Sequence, residues 1–169
     1  MKALIVYYSL TGNVDDTARK IAELSGADLL RLEAQKAYPD KGFGKFFWGG
    51  KSAVMGEKPA LVPYSFDAAA YGLIVFGTPV WAGTFAPPLR TFIADNADAL
   101  KGKRFAAFFC SSGGDAAKAE QKLSASLGNC AFEAFVSLVD PKDKPKEGNK
   151  EKIAAFAGLI ERDESEETE

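Results

Sequence analysis

Two stretches of this chain, ALIVYY at residues 3–8 and LIVF at 73–76, are apolar throughout and lack the polar alternation of a half-exposed strand. Short runs of this kind suit strands covered on both faces, and a chain covers both faces of a strand by laying helices on either side of a parallel sheet. FAAFFC (105–110) reads the same way, CAFEAFVSLV (130–139) more loosely, and the partly alternating DLLRLE (28–33) suits a strand nearer an edge. Helical patterns separate these runs. Val14, Ala18, Ile21, Ala22 and Ser25 form one stripe, which Gly26 stops. Leu89, Phe92 and Ile93 mark a helix ending near Asn96; residues 116–127 form another before Gly128 and Asn129; Ile153, Phe156, Ala157 and Ile160 mark the last.

Strand and helix therefore alternate five times. Sequential β-α units imply right-handed crossovers and an α/β fold: a three-layer, doubly wound, five-stranded parallel sheet. With 169 residues the chain reads as one domain, spanning 1–160, with no internal repeat. The end, ERDESEETE (161–169), holds six acids and one arginine and reads as a flexible, solvated tail. Without it, 20 basic groups face 17 acidic ones. So nearly neutral a body argues against nucleic-acid binding, which needs a dense basic face.

Histidine is absent, which excludes Ser-His-Asp and Cys-His machinery and histidine-ligated metals. Cys110 and Cys130 are too few for a thiolate zinc site or a disulfide framework, and read as reduced thiols, with Cys110 ending a buried strand. The N-terminal apolar run is too short for a signal-peptide core, and no segment is long enough to span a bilayer. The expected setting is cytoplasmic and the expected source of hard chemistry is a cofactor, with no catalytic side chain and no metal.

In such a sheet, ligands gather outside the carboxyl ends of the strands, where the strand order reverses. Three loops fall there. The first contains Ser9, Leu10, Thr11, Gly12, Asn13 and Val14. Hydroxyls, a glycine and an amide ahead of a helix N-terminus suit an anion, while the plainer reading is a capped turn with Asn13 at or near the N-cap. Asp15 and Asp16 follow, pointing outward or serving the helix dipole. The second, GTPVWAGTFAPP (77–88), reads as an ordered loop running into a helix start. It contains Thr78, Pro79, Val80, Trp81, Ala82 and Gly83. Trp81 suits stacking on a planar heterocycle or packing on the loop's own prolines, and Gly83 tolerates more than one peptide orientation. The third contains Ser111, Ser112, Gly113, Gly114 and Asp115, whose backbone suits the edge of a ring, with Asp115 capping the next helix.

Together the three motifs resemble the flavodoxin-like, FMN-binding family. SLTGNV resembles its phosphate loop, TPVWAG its second flavin-contacting loop and SSGGD its third. The resemblance extends to residue 160 and implies strand order 2-1-3-4-5, for which flavodoxin is itself the standard example, with FMN bound non-covalently at the switch point. It implies electron transfer with a redox partner protein or a small-molecule donor or acceptor. A reductase passing electrons from NAD(P)H to a quinone-type acceptor is the second reading, and a flavin-free scaffold the third. Two departures stand out. Family members often carry threonine where Val14 stands, a missing hydroxyl worth ~1–3 kcal/mol toward a charged phosphate if uncompensated. The near-neutral body also differs from the strongly acidic surface of carrier flavodoxins.

GKFFWGGKS (44–52) approaches a nucleotide-triphosphate loop, but the glycine spacing fails and the interior is bulky. A phosphoacceptor receiver is excluded by Gly77-Thr78 and Ser9 where acids would have to stand. Phe43, Phe46, Phe47 and Val54 fall at helical spacing and read as core, with Trp48 and Met55 as candidate rim residues of a cofactor mouth. The basic connection 140–152 reads as solvated.

Overall fold

A computed structural model describes residues 2–39, 49–113, 116–143 and 146–165, with side chains to residue 161. The long strands are β1 (Lys2–Tyr7), β2 (Asp28–Arg31), β3 (Tyr71–Trp81), β5 (Arg104–Ser111) and β6 (Phe135–Val139). They pair in parallel in the order β2-β1-β3-β5-β6. Counted without the two-residue β4 (Thr84–Phe85), which pairs antiparallel with the end of β3, this is the expected order 2-1-3-4-5. The helices are α1 (Asn13–Ser25), α2 (Pro87–Asp95), α3 (Ala117–Ser126) and α4 (Asn149–Ser165).

Successive strand residues point to opposite faces, so each apolar run feeds two cores. Ile5, Val75 and Phe108 pack with Ala18 and Ile21 of α1 and Phe156 and Ile160 of α4. Val6, Phe76 and Phe109 pack on the other face with Leu89 and Phe92 of α2 and Leu123 of α3. These are the three layers. Gly26 ends α1 in the left-handed region (φ 75°), its amide donating to the Ala22 carbonyl, and Asn96 caps α2. Gly77 has a different cause: a Cβ there would stand 2.3 Å from the Phe108 ring, so a larger residue would push the central strands apart.

Three sequence expectations change. Residues 77–88 are not a loop: β3 runs on to Trp81, Ala82 and Gly83 turn with φ 50° and 71°, and β4 returns to the start of α2. A two-residue turn with both φ values positive matches the right-handed twist of a hairpin. Pro79 lies beyond the last β1 pair, at Gly77, so its missing N–H breaks no β1–β3 ladder bond. Val54 is exposed together with Met55, because the helical segment 49–54 turns Ser52 and Ala53 inward instead. Phe43, Phe46, Phe47 and Trp48 lie outside the described residues. Finally, α4 continues past residue 160 to Ser165.

Candidate functional site

The strand order reverses between β1 and β3, and their carboxyl ends with that of β5 border a cleft of about 460 Å³. That volume lies within the roughly 300–1,000 Å³ usual for small-molecule sites. All three sequence-predicted loops reach it, though not with every residue named.

From the first loop, Ser9, Leu10, Thr11, Asn13 and Val14 line the cleft. The N-cap of α1 is Gly12, not Asn13, with φ 103° and no side-chain cap. The reason is that the Asn13 side chain is used elsewhere: its Oδ1 accepts from the Lys142 amide at 2.9 Å and its Nδ2 donates to Asp143 Oδ2 at 3.1 Å. Capping falls to Ser9, whose Oγ accepts from the Asp15 amide at 3.1 Å, and the Asp16 amide makes the first helical bond, to Gly12. The amides of Asn13 and Val14 are left without an intrahelical acceptor, at the positive end of the helix dipole. The Val14 side chain is buried in the core beneath them.

Asp15 and Asp16 do not oppose an anion in this turn. Asp16 pairs with Lys20. Asp15 accepts from the Tyr7 hydroxyl at 2.7 Å and pairs with Arg19 and Arg31. Partial burial raises its carboxyl, but the bonds from Arg19 and Tyr7 and the two cations outweigh that and hold it below the ordinary 3.8. The Tyr7 hydroxyl is pushed up to about 12 by burial and by Asp15.

From the hairpin, Pro79, Val80, Trp81 and Ala82 line the cleft. Trp81 meets Tyr8 edge-on, with ring centroids 5.7 Å apart, and Tyr38 likewise at 5.4 Å. A Cβ on Gly49 would stand 3.3 Å from its indole, so the backbone there also abuts the ring. Tyr38 is held in turn by Ser52, 2.9 Å away. The indole is thus braced by tyrosines and the 49–52 segment. Thr78 is not a lining residue: fully buried, its Oγ1 accepts from the Ala86 amide at 2.9 Å and donates to the Pro79 carbonyl, closing the hairpin. Gly83 serves the turn.

From the third loop, Ser111 and Ser112 line the cleft, and the Ser111 Oγ is buried with no hydrogen-bond partner. Gly113 adopts φ 152° away from the lining. Gly114 and Asp115 lie outside the described residues; Ala116 occupies the N-cap of α3. Cys110 borders the cleft from within β5, but burial pushes its thiol up to about 12, which disfavours the reactive thiolate.

Tyr8, Gly50, Asp140 and Asp143 also border the site or brace its aromatic wall, and were not singled out by sequence. The basic connection after β6 is therefore not wholly solvated. Its signal was the carboxyl-end rule itself, since Asp140 directly follows a strand adjacent to β5. Among the described residues no group of acids, thiols and imidazoles could hold a metal ion, and no helix is long and apolar enough to cross a membrane.

The family model described as Flavodoxin matches residues 2–140. The chain belongs to the flavodoxin family. Solved structures agree in fold. A flavoprotein from Lactobacillus acidophilus NCFM, crystallised in complex with FMN, is 22% identical, with 84% of this chain and 95% of that one covered and a TM-score of 0.70. A putative flavoprotein from Bacteroides eggerthii DSM 20697 is 21% identical, covering 94% and 97%, with a TM-score of 0.71. A flavodoxin from the domain Archaea is 14% identical over 96% and 98%, with a TM-score of 0.58. The flavodoxin fold places the switch-point cleft where these sequence motifs converge.

Proposed function

We propose that this flavodoxin-family protein binds FMN non-covalently in the cleft and transfers electrons through it. The observation that carries the reading is the convergence of three chemically different walls on one cavity: an anion-ready helix start, an aromatic hairpin and a polar strand end. Family membership and the FMN complex of a structural relative support the same cofactor.

The residues present fit the group. The orphaned Ser111 Oγ calls for a polar partner, and the Asn13 and Val14 amides with the Thr11 hydroxyl suit a phosphate. Trp81, braced edge-on by Tyr8, supplies the aromatic wall for a planar ring, and Ser111 and Ser112 its polar edge. When bound, FMN supplies reversible electron acceptance at its ring. The chain orients and shields it: Thr78 fixes the hairpin, Tyr38 and Gly49 fix the indole, and Asp15 fixes the start of α1. Its partner in this reading is a redox protein or a small electron donor or acceptor. The free thiols of Cys110 and Cys130 support a reducing, cytoplasmic setting.

An anaerobic titration of the FMN-loaded protein, followed by flavin absorbance, tests this. The expected result is stoichiometric FMN uptake, slow or no bleaching by NADPH, and full bleaching by dithionite. Rapid bleaching by NADPH would replace electron transfer with a nicotinamide-dependent reductase. An apoprotein that takes up no FMN would leave the scaffold reading.

A further inference from the structure

The connection after β6 brings an ammonium group to the glycine turn. A Cβ built on Gly12 would lie 2.9 Å from Lys142 Nζ, so the ammonium rests directly against the backbone between Thr11 and Asn13. The segment carrying it is fastened at both walls of the cleft. The Lys142 amide donates to Asn13 Oδ1 and Asn13 Nδ2 donates to Asp143, which ties it to α1. The Asp140 amide donates to the Ser111 carbonyl at 2.8 Å, which ties it to β5. Asp140 itself sits at φ 39°, turning the chain off the strand toward α1.

Charge gives the lysine its role. Asp140 and Asp143 both line the cleft. Of the nearby acids on α1, Asp15 is answered by Arg19 and Arg31 and Asp16 by Lys20. The 140–143 segment therefore presents two carboxylates to the cleft and holds one ammonium beside it, at the Gly12 turn. Without Lys142 an incoming phosphate dianion would meet like charge at a site otherwise built of neutral donors.

We propose that Lys142 is a phosphate-binding residue, held at the Gly12 turn by the Asn13 latch, and that it makes the cleft select FMN over riboflavin. The proposal rests on the reading of the cleft as an FMN site. It supplies the compensation that Val14 requires, since an ammonium replaces the donor that a threonine hydroxyl would give. It also explains why Asn13 gives up the N-cap: its amide holds the lysine in place.

The test is apoprotein titrated with FMN and separately with riboflavin, followed by quenching of flavin fluorescence at low and high salt. Lys142→Met is expected to weaken FMN binding about tenfold, the scale of one hydrogen bond to a charged group, with riboflavin unchanged and the salt dependence of FMN binding reduced. Lys142→Arg should retain most of the FMN preference. Asp143→Asn keeps an acceptor for Asn13 and removes a repelling charge, so FMN should bind more tightly and riboflavin as before. A melting temperature of the apoprotein unchanged by Lys142→Met would show that the fold is intact. If wild-type protein binds both flavins and Lys142→Met shifts both equally or neither, the lysine assignment is wrong while the flavin site stands. If wild-type protein binds neither flavin, the FMN reading fails and the assignment falls with it.

Discussion

Thr78 shows how much of the site depends on one buried hydroxyl that does not line the cleft. It is fully buried at the point where β3 leaves β1, and its Oγ1 both accepts from the Ala86 amide and donates to the Pro79 carbonyl. Valine has nearly the same shape and neither capacity. Thr78→Val should therefore strand a buried backbone N–H at the start of α2 and cost about 1–3 kcal/mol, read from urea unfolding of the apoprotein. Thr78→Ser should recover most of the loss. Because the hairpin also carries Trp81, valine should weaken FMN binding as well, whereas an unchanged affinity would mean that the indole is positioned by Tyr8, Tyr38 and Gly49 alone. Thr78 stood out in the sequence, but as part of a contacting loop. Its inward rotamer follows from the bond it accepts from Ala86, the residue after β4, a two-residue strand too short to leave a periodic signal of its own.

The start of α1 is held to the sheet through one carboxylate: Asp15 joins Tyr7 of β1 and Arg31 of β2, with Arg19 of its own helix. Its acidity is greater in the folded chain, since Arg19, Tyr7 and Arg31 outweigh its desolvation. A lowered folded value means that unfolding takes up protons at acid pH. The stabilisation is complete above the unfolded value near 3.8 and is lost as pH falls from there through the lower folded value. Asp15→Asn should thus melt below wild type near neutrality, and the gap should close as melts are taken at progressively lower pH below about 4. A gap independent of pH would assign the effect to packing rather than charge. The elements themselves were legible because their signals are local: the apolar stripe of α1, Gly26 at its end and the unbroken strand interiors all lie within one element. The latch between Asn13 and Lys142 was not, because its partners are separated by 129 residues and meet only once β1, β5 and β6 share a sheet. For the same reason Asn13 read as a cap, its commonest local use, when its side chain answers a distant backbone amide.

At the scale of the whole molecule, Cys110 reports on how the cleft and the global fold are coupled. It lies in β5, paired on both sides, and is 4% exposed with its thiol pushed up to about 12 by burial. Burial disfavours both reagent access and thiolate formation in the native sheet, so labelling is expected to follow the opening of β5, and a strand between two partners opens with the sheet. In a Cys130→Ser background, alkylation of Cys110 should be slow under native conditions, and its dependence on urea should match that of global unfolding. A ligand that binds only the native state protects by mass action. Free FMN at a hundred times its dissociation constant should slow Cys110 labelling about a hundredfold, equivalent to about 2.7 kcal/mol. The urea dependence decides the alternative. Fast labelling with little response to urea, abolished by FMN, would mean that the thiol is reached through the cleft while the sheet stays folded. The flavin would then shield Cys110 by covering it rather than by stabilising the fold.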